Sequence, residues 1–385
     1  MNKKKPIIIL ECANSHDGNY KILNHTIQKF CRLDYEKIHI KFQPFSANTI
    51  AVPNYDWFSV YKELELTKLQ WKMIINKANQ LYKGVWLDIF DEFSIEILKK
   101  NINKIYGIKI QSSTLENEKI IYLLNKINFK KKIILNISGK TIFQIKKIIE
   151  SFKKISKKII LQSGYQDYPT NIKETNFKKV ITLQKNFPNY IYGYADHLDS
   201  SDIKSIFTPI KAYQNNCEII EKHISLKGKK SKYDYFSSLN FEQTKKMFDV
   251  VNFYFQKDSA NFISNKEKKY LNKTVQIPIA TKYINKGNFI NYEDISYLRS
   301  NHKNKKIYKM DLNKKYFALR NIKSFDPLNS FNSDKIKIGI FIACRLKSSR
   351  LKKKAILKLS RNQTLIDKCI LSAKKIKNVD VIAIT

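Results

Sequence analysis

Arginine is nearly missing from a chain otherwise crowded with positive charge. Of its 72 basic residues only six are arginine (Arg32, Arg299, Arg320, Arg345, Arg350 and Arg361), leaving 66 lysines among 385 residues. A formal net charge of +39 would ordinarily point to nucleic acid or an anionic membrane. A groove built for a polyanion concentrates arginine, whose planar fork grips phosphate through two hydrogen bonds at once. Here the lysines run through every segment beside very frequent isoleucine and asparagine. That marks a bias of the whole chain, so binding to nucleic acid or to a membrane is not expected. Paired cysteines are missing too. The five (Cys12, Cys31, Cys217, Cys344, Cys369) are scattered, odd in number and without a CxxC pair. Reduced thiols follow, rather than a disulfide frame or a zinc knuckle. No apolar run approaches the roughly 18–20 residues that cross a bilayer. The first, Ile7–Leu10, is too short for a signal peptide and is ended by Glu11, so the expectation is a cytoplasmic protein. What the chain does have is core material. At 43% hydrophobic and 12% aromatic residues, global disorder is excluded. The length makes two to three domains of roughly 100–200 residues each.

The first 225 residues repeat one unit, a short run rich in Ile, Val and Tyr followed by an amphipathic stretch. The runs are Pro6–Ala13, Lys37–Gln43, Gly84–Phe90, Tyr106–Ile110, Lys132–Ser138, Lys158–Gly164, Ile191–His197 and Cys217–Ser225. One of the helical stretches, Ile142–Phe152, puts Ile142, Ile145, Ile148 and Ile149 on one face. Between the second and third runs lie loop residues (Pro44, Pro53, Asn54) and then a helix around Thr67–Leu81. Continuous apolar strands alternating with helices imply a parallel sheet covered on both faces. Eight units in this length fit an α/β fold of the (β/α)8 TIM barrel type, with an open doubly wound sheet as the alternative. The barrel domain is expected over 1–255 and closes with a helix at Phe241–Phe255. A Lys- and Asn-rich linker follows over 256–270. A small β-rich domain is expected over 271–330, with short runs at Gln276–Ala280 and Phe289–Ile290. Residues 336–385 read as one βαβ: a strand at Ile336–Ala343, a basic loop at Cys344–Lys354, a helix at Leu365–Lys377 and a strand at Val379–Thr385. One βαβ cannot bury both sides of its sheet, so this piece reads as an incomplete domain, or as one leaning on something else.

In a barrel of this class the chemistry sits at the C-terminal ends of the strands. The strand ends here are polar in turn: Glu11 (with Asn14 and His16 beyond), Lys41 and Gln43, Asp88 and Asp91, Lys109, Gln111 and Ser112, Asn136 and Ser138, Gln162 and Ser163, Asp196 and His197, Glu221 and His223. Lys41 and Lys109 sit inside apolar strands, where a buried ammonium is costly unless an anion pairs with it. Two such lysines point to a small polyanion such as a phosphate or carboxylate. The chain has six histidines, and two of them, His197 and His223, end consecutive strands. That placement favours a shared metal or acid–base role, with a divalent ion such as Mn2+, Zn2+ or Fe2+.

Five stretches resemble the N-acetylneuraminate synthase family, the sialic, legionaminic and pseudaminic acid synthases that condense phosphoenolpyruvate with an N-acyl sugar. They are Glu-Cys-Ala-Asn-Ser-His-Asp-Gly (11–18), Ile-Lys-Phe-Gln (40–43), Gly-Tyr-Ala-Asp-His (193–197), Ile-Glu-Lys-His-Ile (220–224), and Asp234 with Ser-Ser-Leu-Asn (237–240). They come in the family's order and on the expected strands. Tyr-Ile-Asn-Lys-Gly (283–287), Tyr-Glu-Asp-Ile (292–295) and Leu-Arg (298–299) resemble the antifreeze-like SAF (β-clip) domain of these synthases. The resemblance implies roles residue by residue. Lys41, Lys109 and Ser112 would grip phosphoenolpyruvate, with Gln43, Asn136 and Gln166 alongside. His197 and His223 would bind a divalent metal, Mn2+ foremost. Glu11 and Asp234 would contact the sugar and serve in proton transfer. Arg299 would reach the N-acyl end in the partner subunit of a homodimer, where the SAF domain covers the neighbouring active site. The stretch Ile-Ala-Cys-Arg-Leu-Lys-Ser-Ser-Arg-Leu-Lys-Lys-Lys (342–354) resembles the opening of spore-coat-type and sugar-acid cytidylyltransferases, a partial nucleotidyltransferase-like βαβ from which no transferase activity is expected.

The chain also departs from the family pattern. Asp88 stands where the family often has Thr near the phosphate, Gln-Ser-Ser-Thr (111–114) replaces Gly-Ser-Gly-Glu, Ala195 replaces Ser, and Ser-Asn follows Arg299. These changes surround the sugar more than the metal and imply a shifted sugar substrate. The expected activity is a metal-dependent nonulosonic acid synthase. The alternatives are another phosphoenolpyruvate-condensing enzyme or aldolase on the same barrel, or a basic protein that binds nucleic acid or membrane surfaces.

Overall fold

The computed structural model describes residues 4–256, 262–301, 315–330, 332–344, 347, 351–377 and 379–384. Eight parallel strands close in sequence order into a barrel: β1 (Ile7–Glu11), β2 (Ile38–Phe42), β3 (Val85–Ile89), β4 (Gly107–Ile110), β5 (Lys132–Asn136), β6 (Ile159–Gly164), β7 (Ile191–Asp196) and β8 (Cys217–His223). β8 pairs back onto β1, with His223 opposite Glu11. Closure decides for the (β/α)8 barrel over the open sheet. β-branched runs such as Ile-Ile-Ile-Leu suit strands covered on both faces. Helices start where a side chain caps their free N–H groups. Asn19, Asp91, Thr141 and Asn240 each do this at a barrel helix.

The helix Ile142–Lys153 buries Ile145, Ile148, Ile149 and Phe152, but Ile142 is 38% exposed because it precedes the first full turn of the apolar face. Two short helices, Ala47–Ile50 and Phe58–Leu64, occupy the stretch expected as loop after β2, and Lys68–Leu81 follows them. None of the described helices is long and apolar enough to cross a membrane.

The barrel interior changes character along its axis. Its lower end is an apolar plug of Ile9, Trp86, Ile134, Ile160 and Ile219. A Cβ on Gly107 would sit 2.3 Å from the Trp86 ring, so only glycine leaves room for that indole. Side chains on a strand return to the same face every two residues. Two residues on, the inward positions become Glu11, Asp88, Lys109, Asn136, Gln162 and Glu221, with Lys41 from β2. That single step turns an apolar plug into a charged floor.

Residues 258–385 form a second compact unit. Helix Asn265–Thr274 begins in the stretch expected as linker and runs past its limit at residue 270, started by a reciprocal cap between Ser264 and Glu267. Strand Gln276–Ala280 pairs antiparallel with Ile295–Arg299. Phe289–Ile290, Tyr316–Ala318 and Ser333–Lys335 make a second sheet, whose third strand lies past the expected limit at residue 330. Ala280, Ile284, Ile290, Ile295, Tyr316, Ala318, Ile322 and Leu328 form its core. Further on, Gly339–Ile342 and Val381–Ile384 pair in parallel, each shorter than expected, with the helix Leu365–Lys374 between them in sequence. Arg345 and Arg350 lie outside the described residues.

Candidate active site

The charged floor is one connected network. Lys41, fully buried, contacts Glu11, lies 2.7 Å from Asp88 and 3.3 Å from Glu221. Lys109 pairs with Glu221 at 2.7 Å, and Gln162 donates to the other oxygen of Glu221 at 3.1 Å. Asp88 Oδ2 also accepts from Gln43 at 3.1 Å and Gln111 at 2.8 Å. Asn136 donates to Gln111 at 2.9 Å and accepts from the Ser138 hydroxyl at 2.7 Å, while Ser112 donates to the Ser138 carbonyl. The buried lysines were expected to await a small anion. The protein instead surrounds them with its own carboxylates, because leaving a buried ammonium unpaired costs several kcal/mol.

Three carboxylates face two ammonium groups, and the proton that eases the excess sits on Glu11. Burial pushes its carboxyl up to about 8, helped by Asp88 and Glu221 and opposed by Lys41. Burial would also raise Glu221, but Lys109 and Lys41 outweigh it and hold that carboxyl well below the usual range. Lys41 is held charged against burial by Asp88, Glu11 and Glu221. Burial lowers Lys109.

Above this floor, His197 and His223 face each other with ring centroids 5.1 Å apart, and Tyr168 lies 4.4 Å from the first and 5.9 Å from the second. His197 Nδ1 is 2.7 Å from the Tyr165 carbonyl. A carbonyl only accepts, so Nδ1 carries the proton and Nε2 keeps a free lone pair. Burial lowers His197 to about 4, and burial with His197 nearby lowers His223 further, so both rings are neutral at physiological pH. Glu221 is the third member: ligand atoms of His197, Glu221 and His223 all lie within 4.8 Å of one another. Among the described residues, buried His223 Nδ1 has no hydrogen-bond partner. Two neutral imidazoles, one of them with an orphaned nitrogen, and a carboxylate fit a divalent cation of borderline softness.

A mouth cavity of about 480 Å³ opens over this group, lined by the expected Gln43, Ser112, Gln166, His223 and Asp234, and by Asn14, Gln111 and Tyr168. Asp234 Oδ2 accepts from the Asn14 N–H at 2.8 Å, and burial raises its carboxyl. Ten of the eleven residues proposed from sequence thus converge on one barrel end. The eleventh, Arg299, belongs to the second unit. It is exposed at the end of Ile295–Arg299 in the second unit, opposite Gln276.

The sequence names Glu221 and Gln162 among the polar strand ends without a role in the site, and does not point to Tyr168. Glu221 was legible: it stands two residues before His223 on β8, hence on the same face. Asp196 and Lys222, the alternate positions, form a buried pair at 2.8 Å outside the site.

The chain belongs to the NeuB family, which matches residues 28–259. Over 316 residues it is 26% identical to a pseudaminic acid synthase of Campylobacter jejuni, covering 77% of this chain and 88% of that protein. A second Campylobacter jejuni pseudaminic acid synthase is 26% identical over 346 residues, 84% of this chain and 96% of that one. Among solved structures, the N-acetylneuraminic acid (sialic acid) synthetase of Leptospira borgpetersenii superposes with a TM-score of 0.57 at 20% identity, over 70% of this chain and 92% of that one. Spore coat polysaccharide biosynthesis protein spsE of Bacillus subtilis gives 0.54 at 18%, over 84% and 93%. Both structures share the fold.

Proposed function

We propose that this protein is a nonulosonic acid synthase that condenses phosphoenolpyruvate with an N-acyl hexosamine-type sugar and releases phosphate. The observation that carries this reading is the His197–Glu221–His223 group at the barrel mouth, set directly over the buried lysines 41 and 109. Membership of the NeuB family supports the same chemistry. His197 and His223, with Glu221, would hold the divalent metal, Mn2+ foremost. When bound, the metal supplies Lewis-acid polarisation of the sugar's open-chain aldehyde.

The chain's own residues account for the rest. Lys109 has a single carboxylate partner within 4 Å among the described residues, whereas Lys41 has three, so Lys109 is the cation free to change partner when an anion enters. Ser112, Asn136 and Gln166 flank that path, and Gln43 borders it on the β2 side. Carbon-3 of phosphoenolpyruvate forms the new bond to the aldehyde carbon, water adds at carbon-2, and phosphate leaves the tetrahedral centre. Lys109 and Lys41 offset the charge that develops there. Glu11, whose carboxyl burial pushes up to about 8, would give its proton to the new alkoxide, and Asp234 would hold the sugar. Arg299 of the partner subunit in a homodimer, from a domain like SAF, would reach the N-acyl group. The region from 336 onward is proposed to be nucleotidyltransferase-like.

Mixing the enzyme with Mn2+, phosphoenolpyruvate and a panel of N-acyl hexosamines, with phosphate assayed and a nine-carbon keto acid sought by mass spectrometry, tests the reading. His223→Ala should lose Mn2+ binding and at least about a hundredfold in phosphate release, two ligands being too few for a tight site. Undiminished release by that variant sinks the assignment.

A further inference from the structure

Asp234 reaches the mouth on a loop with little secondary structure of its own, and it holds a left-handed backbone (φ +55°) that a non-glycine residue adopts only under constraint. The constraint comes from the neighbouring loop, after β1, the strand that pairs with β8 in the closed barrel. Asp17, on the loop after β1, accepts from the Ser231 hydroxyl and the Lys232 N–H at 2.9 Å each through Oδ1, and from Lys227 at 3.0 Å through Oδ2. The same Ser231 hydroxyl also lies 2.9 Å from the Ser15 carbonyl, so its one proton is shared between the two acceptors, and Asn14 N–H holds Asp234 itself.

A second carboxylate joins this clasp. Gly18 (φ +69°) packs so tightly on the backbone of residue 63 that a Cβ there would lie 2.0 Å from the Glu63 carbonyl oxygen. That contact brings the Glu63 side chain to Lys232 and to the Tyr233 hydroxyl, the latter at 3.0 Å. The segment 227–233 is therefore tied down by two carboxylates, one from the loop after β1 and one from the helix Phe58–Leu64, just before the residue that lines the cavity. Asp17 is largely buried (7% side-chain exposure) and keeps its bonds in salt, whereas the Lys232–Glu63 pair is open to screening.

We propose that Asp17 is a positioning residue for the sugar: by clamping Ser231 and Lys232 it fixes Asp234 at the mouth. This rests on the reading of Asp234 as a sugar contact. Asp17 does not line the cavity, and its side-chain bonds run to Lys227, Ser231 and Lys232 after β8, whereas the phosphoenolpyruvate side is built from β2 to β6. Loosening the clamp therefore raises the KM for the sugar and leaves that for phosphoenolpyruvate alone.

Asp17→Ala removes all three contacts but strains a left-handed position (φ +51°), so Ser231→Ala, which loosens the same clasp from the other side, is made beside it. Asp17→Asn keeps the oxygen that Ser231 and Lys232 use. Kinetics use phosphoenolpyruvate, Mn2+ and whichever N-acyl hexosamine gives the fastest phosphate release with the unaltered enzyme. Independently, limited trypsin digestion reads cleavage after Lys227 and Lys232 without any substrate. The two alanine variants should raise the sugar KM by about ten- to a hundredfold, the range that a misplaced contact of about 1 Å produces. They should leave the phosphoenolpyruvate KM within about twofold and be cut at these lysines about tenfold faster. Asp17→Asn should behave nearly as the unaltered enzyme in both assays. Joint movement of both KM values, no movement of either, or an asparagine variant as impaired as the alanine one overturns the proposal. If the unaltered enzyme releases no phosphate with any sugar, the functional reading falls instead. The trypsin comparison then decides the clamp, and unchanged cleavage refutes it.

Discussion

Replacing Glu221 with glutamine keeps the shape of the barrel floor and removes one charge. Lys41 retains Glu11 and Asp88, but Lys109 loses the carboxylate 2.7 Å away. Its ammonium must then stay buried without a counter-charge or give up its proton. An ordinary lysine titrates near 10.5. Neutralising it at pH 7 costs about 1.4 kcal/mol for each of roughly 3.5 pH units, a ceiling near ~5 kcal/mol. That agrees with the loss of about 3–5 kcal/mol seen when one side of a buried pair is removed. For a barrel of this size the melting temperature should fall by about 6–20 °C. The sign of the pH dependence follows from proton counting. The unfolded variant binds a proton on Lys109 that the folded variant does not, so its stability rises with pH. The deficit against the unaltered protein should therefore shrink, by up to about 1.4 kcal/mol per pH unit, between pH 7 and 9. Thermal unfolding followed by circular dichroism at pH 7, 8 and 9 measures this. The double variant Lys109→Met/Glu221→Gln should recover more than half of the loss. A single variant that melts within about 1 °C of the parent at pH 7, or a deficit that ignores pH, would refute the account of the floor.

Three further outcomes are expected. His39 is buried and held to about 4, first by burial and then by Lys132, and it accepts from Trp86 Nε1 at 2.9 Å. The unfolded chain takes up that proton near pH 6.5 and the folded one does not, so stability should fall by up to about 3 kcal/mol between pH 6.5 and 4. His39→Gln, which keeps an acceptor for Trp86, should flatten that slope in acid-unfolding curves. Lys222→Met strands buried Asp196 and should cost about 3–5 kcal/mol in a denaturant melt, while Mn2+ affinity by calorimetry stays unchanged. Asp88→Asn releases part of the hold on Lys41, so the KM for phosphoenolpyruvate should drop severalfold; a rise would show that Asp88 helps rather than competes with the anion.

Much of the site was legible because strand position carries chemistry in a barrel. His197 and His223 end consecutive strands, and Lys41 and Lys109 interrupt apolar runs, so residues far apart in sequence could be assigned to one mouth before any coordinate. The fate of the two lysines was not legible. An inward ammonium calls for an anion, but sequence does not say whether the anion is a substrate or a neighbouring carboxylate. Asp88, which stands where the family often has Thr, takes Lys41, Gln43 and Gln111 together on its Oδ2. The clasp at Asp17 was equally hidden, since it joins residues more than 200 positions apart.

Local information determined the number of strands, the alternation with helices and the polar character of every strand end, because hydrophobic period and capping residues act within a few positions. Closure, the pairing of Glu221 with both lysines, and the clamp that aims Asp234 were decided only by the tertiary structure. Those outcomes depend on which side chains meet across the barrel. Charge balance in a buried space is a property of the whole ring of strands, not of any one of them.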